Sequence, residues 1–141
     1  MQIVSVPLIN GREVAISTHD LKAMRDLLAS EERWCKTSIA LDGAGNLRSP
    51  LSPNARKFCL LGAGAKVLHL PVYVEILGKL HSDYELFDAL NVALVRALRL
   101  EEEWGNGNVA IHNDTSNHAR ILTTLDIALD HAENPDEEEE A

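Results

Sequence analysis

Asn54-Ala55-Arg56-Lys57-Phe58-Cys59-Leu60-Leu61-Gly62-Ala63 is the stretch whose reading decides the fold. Phe58, Leu61, Ala65 and Leu68 make one apolar stripe at helical spacing, and Leu60, Gly64 and Val67 make a second. A helix apolar on two sides is buried on two sides. Ser52 can cap it, and Pro53 suits a first helical position, where a missing N–H costs nothing. The pattern therefore predicts a central helix over 53–69, stopped by Pro71, with Gly62 to Ala65 small enough for another backbone to pack closely.

On the N-terminal side, Ile3-Val4-Ser5-Val6 and Glu13-Val14-Ala15-Ile16 are β-rich and flank Asn10-Gly11, so residues 3–16 read as a hairpin with a two-residue turn. Pro7 cannot donate to a ladder, which puts its strand at an edge. Ser17 to Asp20 form a capping cluster, and Leu21, Met24, Leu27 and Leu28 define a first helix over 18–30 that leads to Trp34-Cys35. Thr37 to Leu41 read as extended and Asp42 to Asn46 as a turn.

On the C-terminal side, Val72 to Leu77 fit either a strand or a continuation into helix, and Gly78 breaks them. Ser82 with Glu85 resembles a capping box for a helix marked by Phe87, Leu90, Leu94, Ala97 and Leu98. Glu101 to Glu103 would oppose the dipole at its C-terminus, so that helix is expected to end before them. Val109 to Ile111 read as extended. Asn113 to Ser116 read as caps for a last helix carrying Ile121, Leu122, Leu125, Ala128 and Leu129. The expected architecture is an α+β single domain over 1–132, mostly helical, with about four helices and a small N-terminal β-hairpin.

The chain has 141 residues, 45% hydrophobic and only 4% aromatic, so aliphatic side chains must fill the core. Its net charge of −9 is uneven: residues 133–141 hold six acids and no base, leaving −3 for the rest. Residues 133–141 are expected to be a solvated, disordered tail, with Glu137, Glu138, Glu139 and Glu140 as the part that would engage a basic partner. A near-neutral body argues against a nucleic-acid surface, which needs clustered Lys and Arg. Residues 1–8 lack a signal-peptide pattern, no run is long enough to span a membrane, and two cysteines suit reduced thiols. The expectation is a cytoplasmic protein, with a Cys35–Cys59 disulfide allowed but not the default.

The Trp34-Cys35 pair, the Cys59-Leu60-Leu61-Gly62-Ala63 block and the Asn113-Asp114 pair occur in an order that resembles an uncharacterised family, a domain of unknown function, of small bacterial and phage proteins. The resemblance runs over 21–132. It lends no activity; it implies a phage or mobile-element setting and the cytoplasm of a host.

Two readings of function remain open, one enzymatic and one not. Cys35, just past the first helix, is the thiol expected nearer the surface. With His112 as base and Asn113 or Asp114 to orient it, Cys35 would make a Cys-His-Asn/Asp constellation for a small hydrolase or transferase. The structural reading gives Asn113 and Asp114 to helix capping. Cys59, predicted well inside a helix and flanked by Phe58 and Leu60, reads as core. No metal is expected, because Cys35, Cys59, His112 and His118 lack the paired spacing of a zinc site. No cofactor motif is present: Gly62-Ala63-Gly64-Ala65 lacks the Lys-Ser/Thr ending of a phosphate loop. The leading expectation is a non-enzymatic interaction protein that binds, and in doing so can inhibit, a host protein partner.

Overall fold

The N-terminal hairpin pairs β1 (Gln2–Pro7) antiparallel with β2 (Glu13–Ser17), in a computed structural model that describes residues 2–134. Its loop is longer than two residues. Leu8 N–H donates to Arg12 C=O, Gly11 N–H donates to Leu8 C=O, and Gly11 takes a φ of 84°. Val14 and Ile16 alternate into the core, and Pro7 lies on the open edge of the pair.

α1 (Thr18–Leu27) begins at a reciprocal capping box between Ser17 and Asp20 and buries Leu21 and Met24. It ends sooner than expected, and a 3-10 turn at Glu31–Arg33 delivers Trp34.

The central stretch is not one helix. β3 (Ala40–Leu41) pairs with β4 (Lys57–Phe58), and α2 (Leu60–Leu68) starts only after them. The reason is where the amides go. Arg56 N–H donates to Leu41 C=O (2.7 Å) and Cys59 N–H to Ile39 C=O (3.3 Å), so both are held in extended pairing. Asp42 closes the intervening loop by accepting from the N–H groups of Ala44 and Asn46 and from Arg48 Nε. The Asn46 N–H bond, with Arg48 behind it, holds this carboxyl below its usual pKa. Once started, α2 is buried from Leu60 through Ala65. The close-packing reading of its small residues holds. A Cβ on Gly62 would lie 1.9 Å from the Ile39 carbonyl oxygen, and one on Gly64 2.9 Å from Leu94 Cδ1.

The ambiguous 72–77 segment is a strand, β5 (Tyr73–Ile76), paired with an unforeseen β6 (Lys79–Ser82). The turn between them is Leu77-Gly78, both left-handed at φ 52° and 78°. α3 (Tyr84–Ala97) is capped by Asp83, not Ser82, through Leu86 N–H. Glu85 instead accepts Ile9 N–H (3.1 Å) and pins the tip of the first hairpin.

Arg99, at φ 54°, breaks the chain, and α4 (Leu100–Trp104) follows. Glu101 to Glu103 thus sit in the first turn of a new helix, where the dipole favours them, not beyond the end of the old one. α5 (Val109–Asp114), capped by Asn108, replaces the expected extended piece. α6 (His118–Glu133) is capped by Asn117, not by the Asn113–Ser116 cluster. The described residues thus form an α+β domain of six helices and three two-stranded antiparallel sheets. One core joins α1, α2, α3, α6 and the first hairpin. Glu133 belongs to α6, where it pairs with Lys22, while Glu137 to Glu140 lie outside the described residues. No helix among the described residues is long and apolar enough to cross a membrane.

Candidate functional site

The last turn of α5 carries Asn113, whose side chain is fully buried. Its Oδ1 accepts the Trp34 indole N–H (2.7 Å) and the Leu60 N–H (3.1 Å). Its Nδ2 donates to Cys35 C=O (3.0 Å) and to Asp114 Oδ1 (3.1 Å). Two acceptances and two donations use the whole capacity of a carboxamide, and only this orientation of the amide serves all four partners. Leu60 N–H is one of the amides that the start of α2 leaves without an intrahelical partner. One side chain therefore joins the end of α5, the Trp34-Cys35 segment and the first turn of α2. The sequence reading of Asn113 as a cap missed this, because three of its four partners are 53 to 79 residues away.

The cysteines lie in the two segments that meet here: Cys35 follows Trp34, which bridges to Phe58, and Cys59 follows β4; Cys35 N–H donates to Phe58 C=O (3.1 Å). Both are free thiols, and each is 8% exposed, so Cys35 is not the more accessible of the two. Cys59 is not inside a helix; it is the N-cap of α2, and its Sγ accepts Gly62 N–H (3.3 Å). That position would ordinarily favour a thiolate. Burial outweighs it and pushes the Cys59 pKa up to about 11. Burial, reinforced by the neighbouring Cys59, pushes Cys35 up to about 12.

His112 points elsewhere. Its Nε2 lies 2.8 Å from Thr124 Oγ1, and its ring packs 5.2 Å from that of Trp104. Thr124 donates its own proton to Arg120 C=O (2.8 Å), so His112 Nε2 carries the hydrogen between them. Burial first, then the nearby Arg120 charge, lowers the His112 pKa and keeps the ring neutral. The structure thus brings Cys35, Asn113 and Asp114 together and turns His112 toward α6.

Asp114 is the one member of the group at the surface. Its Oδ1 also accepts Thr37 N–H (2.8 Å), which holds Thr37 at φ 64°. A β-branched residue in the left-handed region is strained backbone, and such strain gathers at working surfaces. Beside the two lies a cleft of about 140 Å³ walled by Ile39, Cys59, Leu61, Tyr73, Phe87 and Ala110. Among the described residues no group of His, Cys, Asp and Glu side chains is arranged to hold a metal ion.

A second surface stands out. On the β5–β6 hairpin Val74 and Ile76 share the outer face with their cross-strand partners His81 and Lys79, and all four are exposed. Leu77 at the tip is 98% exposed. Tyr73 and Leu80 point the other way, and Tyr73 meets Phe87 of α3 edge-on.

Comparison with known families matches residues 16–131 to one described as "Family of unknown function (DUF6197)". The match spans most of the chain, and the chain belongs to this family. Neither the curated proteins nor the solved structures yielded a match.

Proposed function

We propose that this chain, a member of a family without an assigned activity, is a non-enzymatic binding protein that engages a protein partner through the β5–β6 hairpin. The observation that carries the reading is the exposed Val74-Ile76-Leu77 surface on a sheet of only two strands. Exposed apolar side chains beside unpaired strand edges invite association. Lys79 and His81 flank them on the same face. The complementary partner surface is apolar with carboxylates at its margin. The bacterial and phage setting implied by the sequence resemblance makes a host protein the expected partner.

The cysteine-dependent alternative has less support. Its thiols are buried and their pKa values raised, and His112 is engaged with Thr124. A thiol reagent should modify the native protein only as fast as it unfolds; rapid modification of Cys35 at neutral pH would reopen that reading.

The binding reading is tested with a photo-crosslinking residue at Leu77 and, as control, at Glu102 on α4. A discrete adduct from position 77 in host cells, lost in Val74→Asp/Ile76→Asp, is the expected result. Adducts of equal yield from both positions, or none from 77, would overturn it.

A further inference from the structure

We propose that the cleft between residues 37–39 and α5 binds a small organic cation, a primary amine or amidine carried on a compact apolar group. This site is separate from the hairpin surface and rests on its own observations. The walls come first. Ile39, Leu61, Phe87 and the ring of Tyr73 offer hydrocarbon, and Cys59 adds a soft, weakly polar sulfur. The volume of about 140 Å³ matches a ligand of a single ring, since an apolar cavity of roughly 150 Å³ accepts benzene.

The charge comes second. Asp114 is the only ionisable carboxylate in the lining, and no Lys, Arg or His lines the cleft. Its Oδ1 is committed to Thr37 N–H and Asn113 Nδ2. Its Oδ2 makes no hydrogen bond to the described residues and is left to accept from a ligand. An ammonium or amidinium group is the donor such an oxygen bonds most strongly. The hydroxyl-bearing Thr37 and Ser38 complete the rim.

The third observation is positional. Asn113 fixes the backbone beneath Asp114 by its four hydrogen bonds, and Asp114 in turn holds Thr37 in its strained conformation. The carboxylate is therefore pre-oriented, with little side-chain freedom left to lose on binding.

The test is a two-dimensional amide NMR titration of the full chain with benzylamine, benzyl alcohol and benzoate. Benzylamine should give saturable shifts at Thr37, Ile39, Leu61 and Asp114. The neutral and anionic probes should bind at least about tenfold more weakly. Asp114→Asn keeps an oxygen for Thr37 N–H but removes the charge, and it should weaken benzylamine about tenfold. Ala110→Phe, at an exposed position, should close the cleft and abolish the shifts while the rest of the spectrum stays native. Equal affinity for benzylamine and benzyl alcohol would overturn the proposal, as would shifts absent from those four amides. The probe comparison needs no variant, so a folding defect cannot mask the answer. Val74→Asp/Ile76→Asp should bind benzylamine as the parent does, which keeps this proposal and the hairpin reading separately falsifiable.

Discussion

The Asn113 site and the β5–β6 hairpin depart from the usual distribution of polarity in opposite directions. One buries a carboxamide completely; the other sets Val74, Ile76 and Leu77 in water. At Asn113 the departure is compensated within the chain, because every hydrogen-bonding group of the amide has a partner. At the hairpin nothing among the described residues covers the apolar face. A compensated departure belongs to architecture, and an uncompensated one points outward, to something the chain meets. The two should therefore answer to substitution in opposite ways.

The largest effect is expected at the buried end of the comparison. Asn113→Ala leaves the Trp34 and Leu60 N–H groups and the Cys35 carbonyl without partners, and should cost about 3–5 kcal/mol by chemical denaturation. A loss below about 1 kcal/mol would show that the site does not hold the fold. Gly62→Ala comes next. Its Cβ would meet a backbone oxygen, which cannot move alone, and the expected loss is about 3 kcal/mol. Gly64→Ala meets only the end of the Leu94 side chain and gains helix propensity, so it should stay within about 1 kcal/mol. Equal losses for the two glycines would refute the claim that the α2 start is packed against backbone.

A smaller, pH-dependent effect belongs to His112. Its folded pKa lies below the ordinary 6.5, so as pH falls past 6.5 the unfolded chain takes the proton first. Stability should therefore decline from about pH 6.5 downward until the folded pKa is reached, and His112→Gln should flatten that part of the profile. An unchanged profile in the variant would assign the slope to other groups. The smallest effect on stability is expected at the hairpin, where Val74→Thr and Ile76→Thr should each shift unfolding by no more than about 0.5 kcal/mol. If either destabilises like Gly62→Ala, that face is not free.

The parts of the fold legible in the sequence were those set by local pattern. β-rich runs on either side of Asn10-Gly11 mark the first hairpin, and the Leu21, Leu90 and Leu125 stripes mark α1, α3 and α6. The centre misled because Phe58 falls in helical register with Leu61 while its amide neighbours are held by Ile39 and Leu41 from across a loop. Periodicity does not report such bonds. Cys59 was hidden as a cap because sulfur is an unusual capping acceptor. Arg99 carries no mark of its left-handed backbone, so in the sequence the acids after it look like the exit of α3 and not the entrance of α4. At the site, Trp34, Cys35, Asn113 and Asp114 each carry a local signal in the sequence, but the hydrogen bonds that join them do not. Asn is so common at helix starts that capping was sufficient for it locally. Only the assembled fold distinguishes a cap from a tie across 79 residues.

That span has a consequence in time. Trp34, Leu60 and Asn113 become neighbours only after two long loops have closed, at an entropic cost that local helices and hairpins do not bear. The bonds to Asn113 are therefore expected to form late, after the rate-limiting barrier, an expectation that folding and unfolding rates of Asn113→Ala would test. As a latch of this kind, the site should leave the speed of folding nearly unchanged when lost and show its loss as faster unfolding; an equal slowing of folding would place it in the nucleus. On that expectation, this one amide bears on how long the native state lasts more than on how fast it is reached.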